Sequence, residues 1–118
     1  ARLRAVVRAC LETAVRSRDF WTVFIEFWGE ALHDRRLAAV NRQAYARARR
    51  LVGAGLTRGI AAGQFRRVAL EEAAAVTLAL LDGLSLQLTF DRGVMTLPRA
   101  ARVAETALLR YLSTGGPT

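Results

Sequence analysis

The chain has 118 residues, enough for a single core and a single domain. Hydrophobic residues make up 53% and aromatics 8%, which excludes a disordered chain, and two prolines with glycines in no period exclude collagen-like and low-complexity classes. The formal net charge is +8 and all 18 basic residues are Arg, spread over most of the chain, which fits solvated faces and GC-rich coding better than a dedicated phosphate-binding patch.

Five helices and no strands are expected. The first runs from about Arg2 to Arg16, with the apolar stripe Leu3, Val6, Val7, Cys10, Leu11 and Ala14 at three- and four-residue spacing. Cys10 is the only cysteine, so no intrachain disulfide can form, and its place on the stripe predicts a small buried thiol. Ser17-Arg18-Asp19 breaks the pattern, with Asp19 as N-cap of a second helix from about Phe20 to Leu32. That helix carries Phe20, Trp21, Phe24, Phe27 and Trp28. Phe20, Phe24, Phe27 and Trp28 follow one face, while Trp21 and Ile25 point partly elsewhere.

Asp34 can cap a third helix, from about Arg35 to Ala62, whose stripe includes Leu37, Val40, Ala44, Ala48, Leu51, Val52, Gly55, Gly59 and Ile60. Gly63 ends it, with Phe65 placed to fold back onto the last turn. A fourth helix, from about Leu70 to Asp91, starts at Ala69 without a polar cap. Pro98 suits the first turn of a final helix ending near Leu112, and 113–118 read as a flexible tail. No apolar run approaches the roughly 18 residues of a membrane span, so no membrane role is expected. The lone cysteine and the lack of a signal peptide fit the cytoplasm.

The fourth helix is apolar almost all round. Thr77, Leu80, Leu81, Leu84 and Leu88 mark one face, and Ala75, Ala79, Gly83, Leu86 and Phe90 another. The third helix can cover one face. The other would leave a patch larger than soluble monomers usually expose, so a second copy is the simplest cover. The final helix adds Ala101, Ala104, Ala107, Leu108 and Tyr111. A four-helix dimer interface through Ala79, Gly83, Leu86, Phe90, Leu108 and Tyr111 is therefore expected, although spacing leaves open which face of the fourth helix meets the partner.

The segment Ile60-Ala61-Ala62-Gly63-Gln64-Phe65-Arg66, followed by Leu80-Leu81-Asp82-Gly83-Leu84, resembles the C-terminal domain of TetR-family transcriptional regulators, and from Phe20 to Asp91 the order of features is similar to the BetI-like branch. The resemblance implies an all-α bundle that binds a small-molecule effector and dimerises through its last two helices over residues 1–112. It implies a repressor whose DNA contacts belong to an N-terminal helix-turn-helix domain absent from this chain. BetI proteins answer to choline, so the effector is expected to be mostly apolar, or a quaternary ammonium held by cation–π attraction. No metal and no cofactor are expected.

Phe20, Trp21, Phe24 and Trp28 are candidate ligand-binding residues, with Tyr45, Leu81 and Ser85, although aromatics at helical spacing more often simply pack as core. Asp82, a charge in an apolar belt, needs a partner: Arg99, Arg102, an Arg across the dimer, or the ligand. His33-Asp34 is one His and one Asp, too few for a metal centre. Gly53-Ala54-Gly55 has no preceding strand and the wrong spacing for a phosphate loop. No nucleophile–base set stands out, so an enzyme is not expected. Two other classes remain: a ligand-free helical oligomerisation module, which requires a dry packed core at the aromatics, and an Arg-rich nucleic-acid binder, which requires strongly salt-dependent binding.

Overall fold

The computed structural model describes residues 2–16, 18–91 and 93–113; the side chains of 2, 13–16 and 18–20 also lie outside the described part. It consists of α1 (Arg2–Arg16), α2 (Arg18–Ala31), α3 (Arg35–Ala61), α4 (Leu70–Phe90) and α5 (Leu97–Leu112), with no strand among the described residues. The all-α class expected from the sequence holds.

The main core joins α1, α4 and α5. Val7 and Leu11 of α1, Leu81, Leu84 and Leu88 of α4, and Ala100, Ala101, Ala104 and Leu108 of α5 are all buried, with Leu11 and Leu108 at 0% exposure. The alanines of α5 have almost no side-chain volume, so the helices can approach closely. A second cluster of Leu56, Ala73 and Leu112, flanked by Val52, Phe65, Val68 and Tyr111, ties the end of α3 to the start of α4 and the end of α5. Helix α2 lies against α3 and, more lightly, α1. The Cα radius of gyration is 15.3 Å. A close-packed chain of this length has about 13–14 Å. The bundle is therefore open, and α2 is its least covered member.

Three helix ends follow their chemistry. Asp34 caps α3, its carboxylate accepting from the backbone N–H of Arg36 at 2.9 Å and of Leu37 at 3.2 Å. Thr96 caps α5, with Pro98 in the first turn. Gly63, at φ 75°, closes α3: its N–H donates to the Ile60 carbonyl, and that of Gln64 to the Gly59 carbonyl. This is the paired 5→2 and 6→1 arrangement of a Schellman motif. Phe65 folds back onto Gly59, where any Cβ would collide with its ring.

Three expectations are corrected. Helix α2 begins at Arg18, so Asp19 lies inside its first turn and is not the cap; its side chain is outside the described residues. Cys10 is exposed, as is Val6 at 58%, because α4 and α5 cover only the Leu3–Val7–Leu11 edge of α1. Neighbouring groups still desolvate the Cys10 sulfur enough to push its pKa up, which makes it a poor nucleophile. Helix α3 does pack on one side of α4, through Leu56 at Ala73 and Tyr45 at Asp82, while α1 and α5 cover the Leu81–Leu84–Leu88 face. Finally, α4 is long and apolar enough to cross a membrane by length and composition. Its Ala73, Ala74, Leu81, Leu84, Ser85 and Leu88 are nevertheless buried within the bundle.

The α3 cap can be tested in denaturant unfolding. Gly63→Ala, which forces a Cβ into the left-handed region, is expected to cost about 1 kcal/mol. Gly59→Ala is expected to destabilise as well, although alanine is the better helix former by about 1 kcal/mol. In a Phe65→Ala background the same Gly59→Ala change should turn stabilising, because the ring it strikes is gone. If the sign does not change, the ring is not what keeps position 59 bare.

Candidate functional site

Residues 21, 24 and 28 stand one helical face apart, and α2 uses that spacing to line up three rings. Trp21 and Phe24 have centroids 5.9 Å apart, Trp21 and Trp28 meet edge to face at 5.9 Å, and Phe24 meets Trp28 edge to face at 5.5 Å. Phe27 adds a further edge contact to Phe24 at 6.2 Å. Trp21 thus joins the other rings, contrary to the expectation that it diverges, and it also leans on the main core. No described residue of α2 is fully buried.

Across from this row, α3 turns Ala38, Asn41, Arg42 and Tyr45 toward α2, again at helical spacing. Together with Trp28, Ala31 and Leu32 they line an open groove of about 360 Å³. Such a volume is at the low end of small-molecule sites, which run to roughly 300–1,000 Å³. A larger hollow of about 550 Å³, lined by Glu26, Gly29, Glu30, His33 and Asp34, is acidic and wide open. No group of three or more His, Cys, Asp or Glu placed to hold a metal occurs among the described residues.

At the end of the groove the Tyr45 hydroxyl donates to Asp82 Oδ2 at 2.6 Å. This bond gives the mid-helix charge of α4 its partner; Arg99 instead donates to the Val94 carbonyl. Burial, the hydrogen bond to Asp82 and that carboxylate's charge push the Tyr45 phenol up to about 12, against the opposing pull of Arg49, whose guanidinium lies 5.7 Å from the ring centre. The indole N–H groups of Trp21 and Trp28 are both shut away from solvent, and no acceptor among the described residues reaches either. An unmet buried donor costs about 1–3 kcal/mol.

The structure brings some of the expected ligand residues together and separates others. Trp28 and Tyr45 line the groove, with Trp21 and Phe24 packed beside Trp28. The Phe20 side chain lies outside the described residues. Leu81 is buried in the main core and Ser85, 3% exposed, falls on the same stripe of α4, so neither meets the groove. Asn41 and Arg42 were missed. Their spacing from Ala38 and Tyr45 was the available signal, but Arg42 reads as one more solvated arginine until α2 is placed opposite it.

Among the residues expected at a dimer interface, Ala79 and Phe90 are exposed, Phe90 at 73%, while Gly83 and Leu86 are half-buried on the same outward side of α4. Leu108 is wholly inside one copy and has no surface to share. Tyr111 is half-buried, its ring under the Arg66 guanidinium at 5.2 Å and its carbonyl accepting from Arg66 Nε at 2.7 Å.

Residues 1–113 match the family described as BetI-type transcriptional repressor, C-terminal. No curated protein and no solved structure matches the chain.

The Tyr45–Asp82 bond has a spectroscopic signature. In a Tyr111→Phe background, ultraviolet titration should show the remaining phenol ionising near the value of about 12, and Asp82→Asn should lower that midpoint. An unfolded tyrosine ionises near ~10, so the folded phenol keeps its proton longer. This contribution to stability is therefore complete below about pH 10 and is lost as pH rises toward 12. A midpoint indifferent to Asp82→Asn would show that the bond is not kept in solution.

Proposed function

The chain belongs to the C-terminal family of BetI-type transcriptional repressors, and from that premise we propose that it binds a small effector between α2 and α3 and pairs with a second copy through α4 and α5. The observation that carries the first half is α2 itself. It holds most of the aromatic mass of the protein, buries none of its described residues fully, and has a groove against it. A helix so lightly held can move when a ligand enters, and its rings supply the apolar wall. The groove beside Trp28 favours this reading over a ligand-free oligomerisation module, for which the aromatics would form a dry core.

The effector acts by preferring one arrangement of the helices. Ligand between α2 and α3 displaces α2, and α1, which α2 touches, moves with it. DNA is contacted only through a helix-turn-helix region outside these residues, and the spacing of two such regions across a dimer changes with α1. A typical coupling of about 1–3 kcal/mol lowers operator affinity roughly 5- to 150-fold. The effector must bind the two arrangements unequally for this to work. The setting is cytoplasmic, with no membrane and no cofactor, and the effector is mostly apolar.

The pairing half rests on α4 and α5. Ala75, Ala79 and Phe90 face outward, with Val103 41% and Leu109 49% exposed on α5. At Gly83 a Cβ would meet nothing within 4 Å inside one copy, so packing within the protomer does not require a glycine there. A glycine in a helix interior costs about 1 kcal/mol against alanine. A partner helix passing close at that point gives the residue its use.

Sedimentation velocity tests the pairing. The chain should be a dimer at micromolar concentration, and Gly83→Arg should give a monomer with unchanged helical circular dichroism. Gly83→Ala should raise the thermal midpoint of the isolated fold while weakening association. A chain already monomeric at those concentrations would defeat the proposal.

A further inference from the structure

We propose that the groove between α2 and α3 takes a molecule with an apolar body and a carboxylate, and that it is not a cation site; this deepens the effector-binding reading and rests on it. The groove wall is apolar at Trp28, Ala31, Leu32 and Ala38, and its polar liners are Asn41, Arg42 and Tyr45. No acidic residue lines it. Arg4 pairs with Glu105 and Arg8 with Glu12, whereas no carboxylate among the described residues pairs with the Arg42 guanidinium. Asp82, the acid that the groove residue Tyr45 contacts, is engaged by its hydroxyl at 2.6 Å. A planar guanidinium fork matches the two oxygens of a carboxylate, and the Asn41 amide can donate to the same oxygens.

The indoles argue in the same direction. The Trp21 and Trp28 N–H groups are donors lacking an acceptor among the described residues. A quaternary ammonium has no acceptor to give them; a carboxylate or carbonyl oxygen has. The N–H of Trp28, the indole that lines the groove, is closed to solvent here, so a ligand oxygen in the groove reaches it only when α2 shifts. The gain is made in one arrangement of α2 and not in the other, which is the unequal binding a switch requires. The larger acidic hollow at Glu26, Glu30, His33 and Asp34 is the place that a cation would prefer.

Trp28 lines the groove and Trp21, the only other tryptophan in the chain, packs against it, so intrinsic fluorescence reports on this part of α2. The probes are octanoate, octyltrimethylammonium and octanol, each kept below the concentration at which it aggregates. Octanoate should change the emission saturably, with the ammonium and the alcohol at least about tenfold weaker. Arg42 is exposed, so Arg42→Gln should fold normally and weaken octanoate by about tenfold. Arg42→Glu should reverse the order of octanoate and the ammonium. Trp28→Phe should weaken octanoate while leaving octanol unchanged. Ammonium binding as tight as octanoate, or octanoate binding indifferent to Arg42→Gln, overturns the carboxylate assignment and leaves the pocket standing. No response to any of the three probes, by fluorescence or calorimetry, overturns the assignment and the effector-binding reading together.

Discussion

Helix α4 lies against α1, α3 and α5, and its apolar side chains run round most of its circumference. One stripe, Leu81, Leu84 and Leu88, is closed by α1 and α5 and forms the main core. The start of the helix, at Ala73, is closed by Leu56 of α3 and Leu112 of α5. The remaining side, from Ala75 through Ala79 and Gly83 to Phe90, is left over once every helix of one copy has been placed. Burial of apolar area is the main favourable term in folding and association alike, at roughly 25 cal/mol per Å². The same side chains that make the helix a good core therefore make its other side a poor solvent face. The pattern that lets α4 pass a length-and-composition test for a membrane span is the pattern expected of a helix shared between two folded copies.

The opposite condition holds at α2. It carries large rings, yet leans on α3 and only lightly on α1, so its rings pack mostly against one another. Two indole donors are closed off without an acceptor among the described residues. Such local conflicts weaken a fold where they occur, and proteins tolerate them where a ligand or a motion resolves them. The stability of the bundle is therefore uneven. The α1–α4–α5 core is tightly packed, whereas α2 is a half-covered helix with a groove against it.

The Tyr45–Asp82 bond connects these two regions. A carboxylate in the middle of an apolar helix must be solvated by something, and the partner it finds is a neutral hydroxyl from α3 and not an arginine. Tyr45 lines the groove, and Asp82 stands on α4, the helix proposed to pair with a second copy. A shift of α3 relative to α4 cannot occur without disturbing it. The bond therefore offers a physical route from the groove to α4, carried by one hydroxyl and one carboxylate.

The five helices, the Asp34 cap, the bare Ala69 start, and the Gly63 stop with Phe65 folded back were all legible in the sequence. Each depends on a few neighbouring residues, and local chain geometry acts over that range. The excess of apolar surface on α4 was legible for the same reason, since periodicity along one helix measures it directly. Which helix covers which face was not. Val6 and Cys10 share a stripe with Val7 and Leu11, and only the positions of α4 and α5 decide that one edge is buried and the other exposed. Asp82 had several arginines within plausible reach by sequence, but its partner was a tyrosine on α3, brought alongside by the antiparallel run of two helices. Arg42 became a groove residue in the same way. Spacing along a chain states which side chains share a face; what that face meets is a property of three-dimensional packing, and there the tertiary structure alone decided.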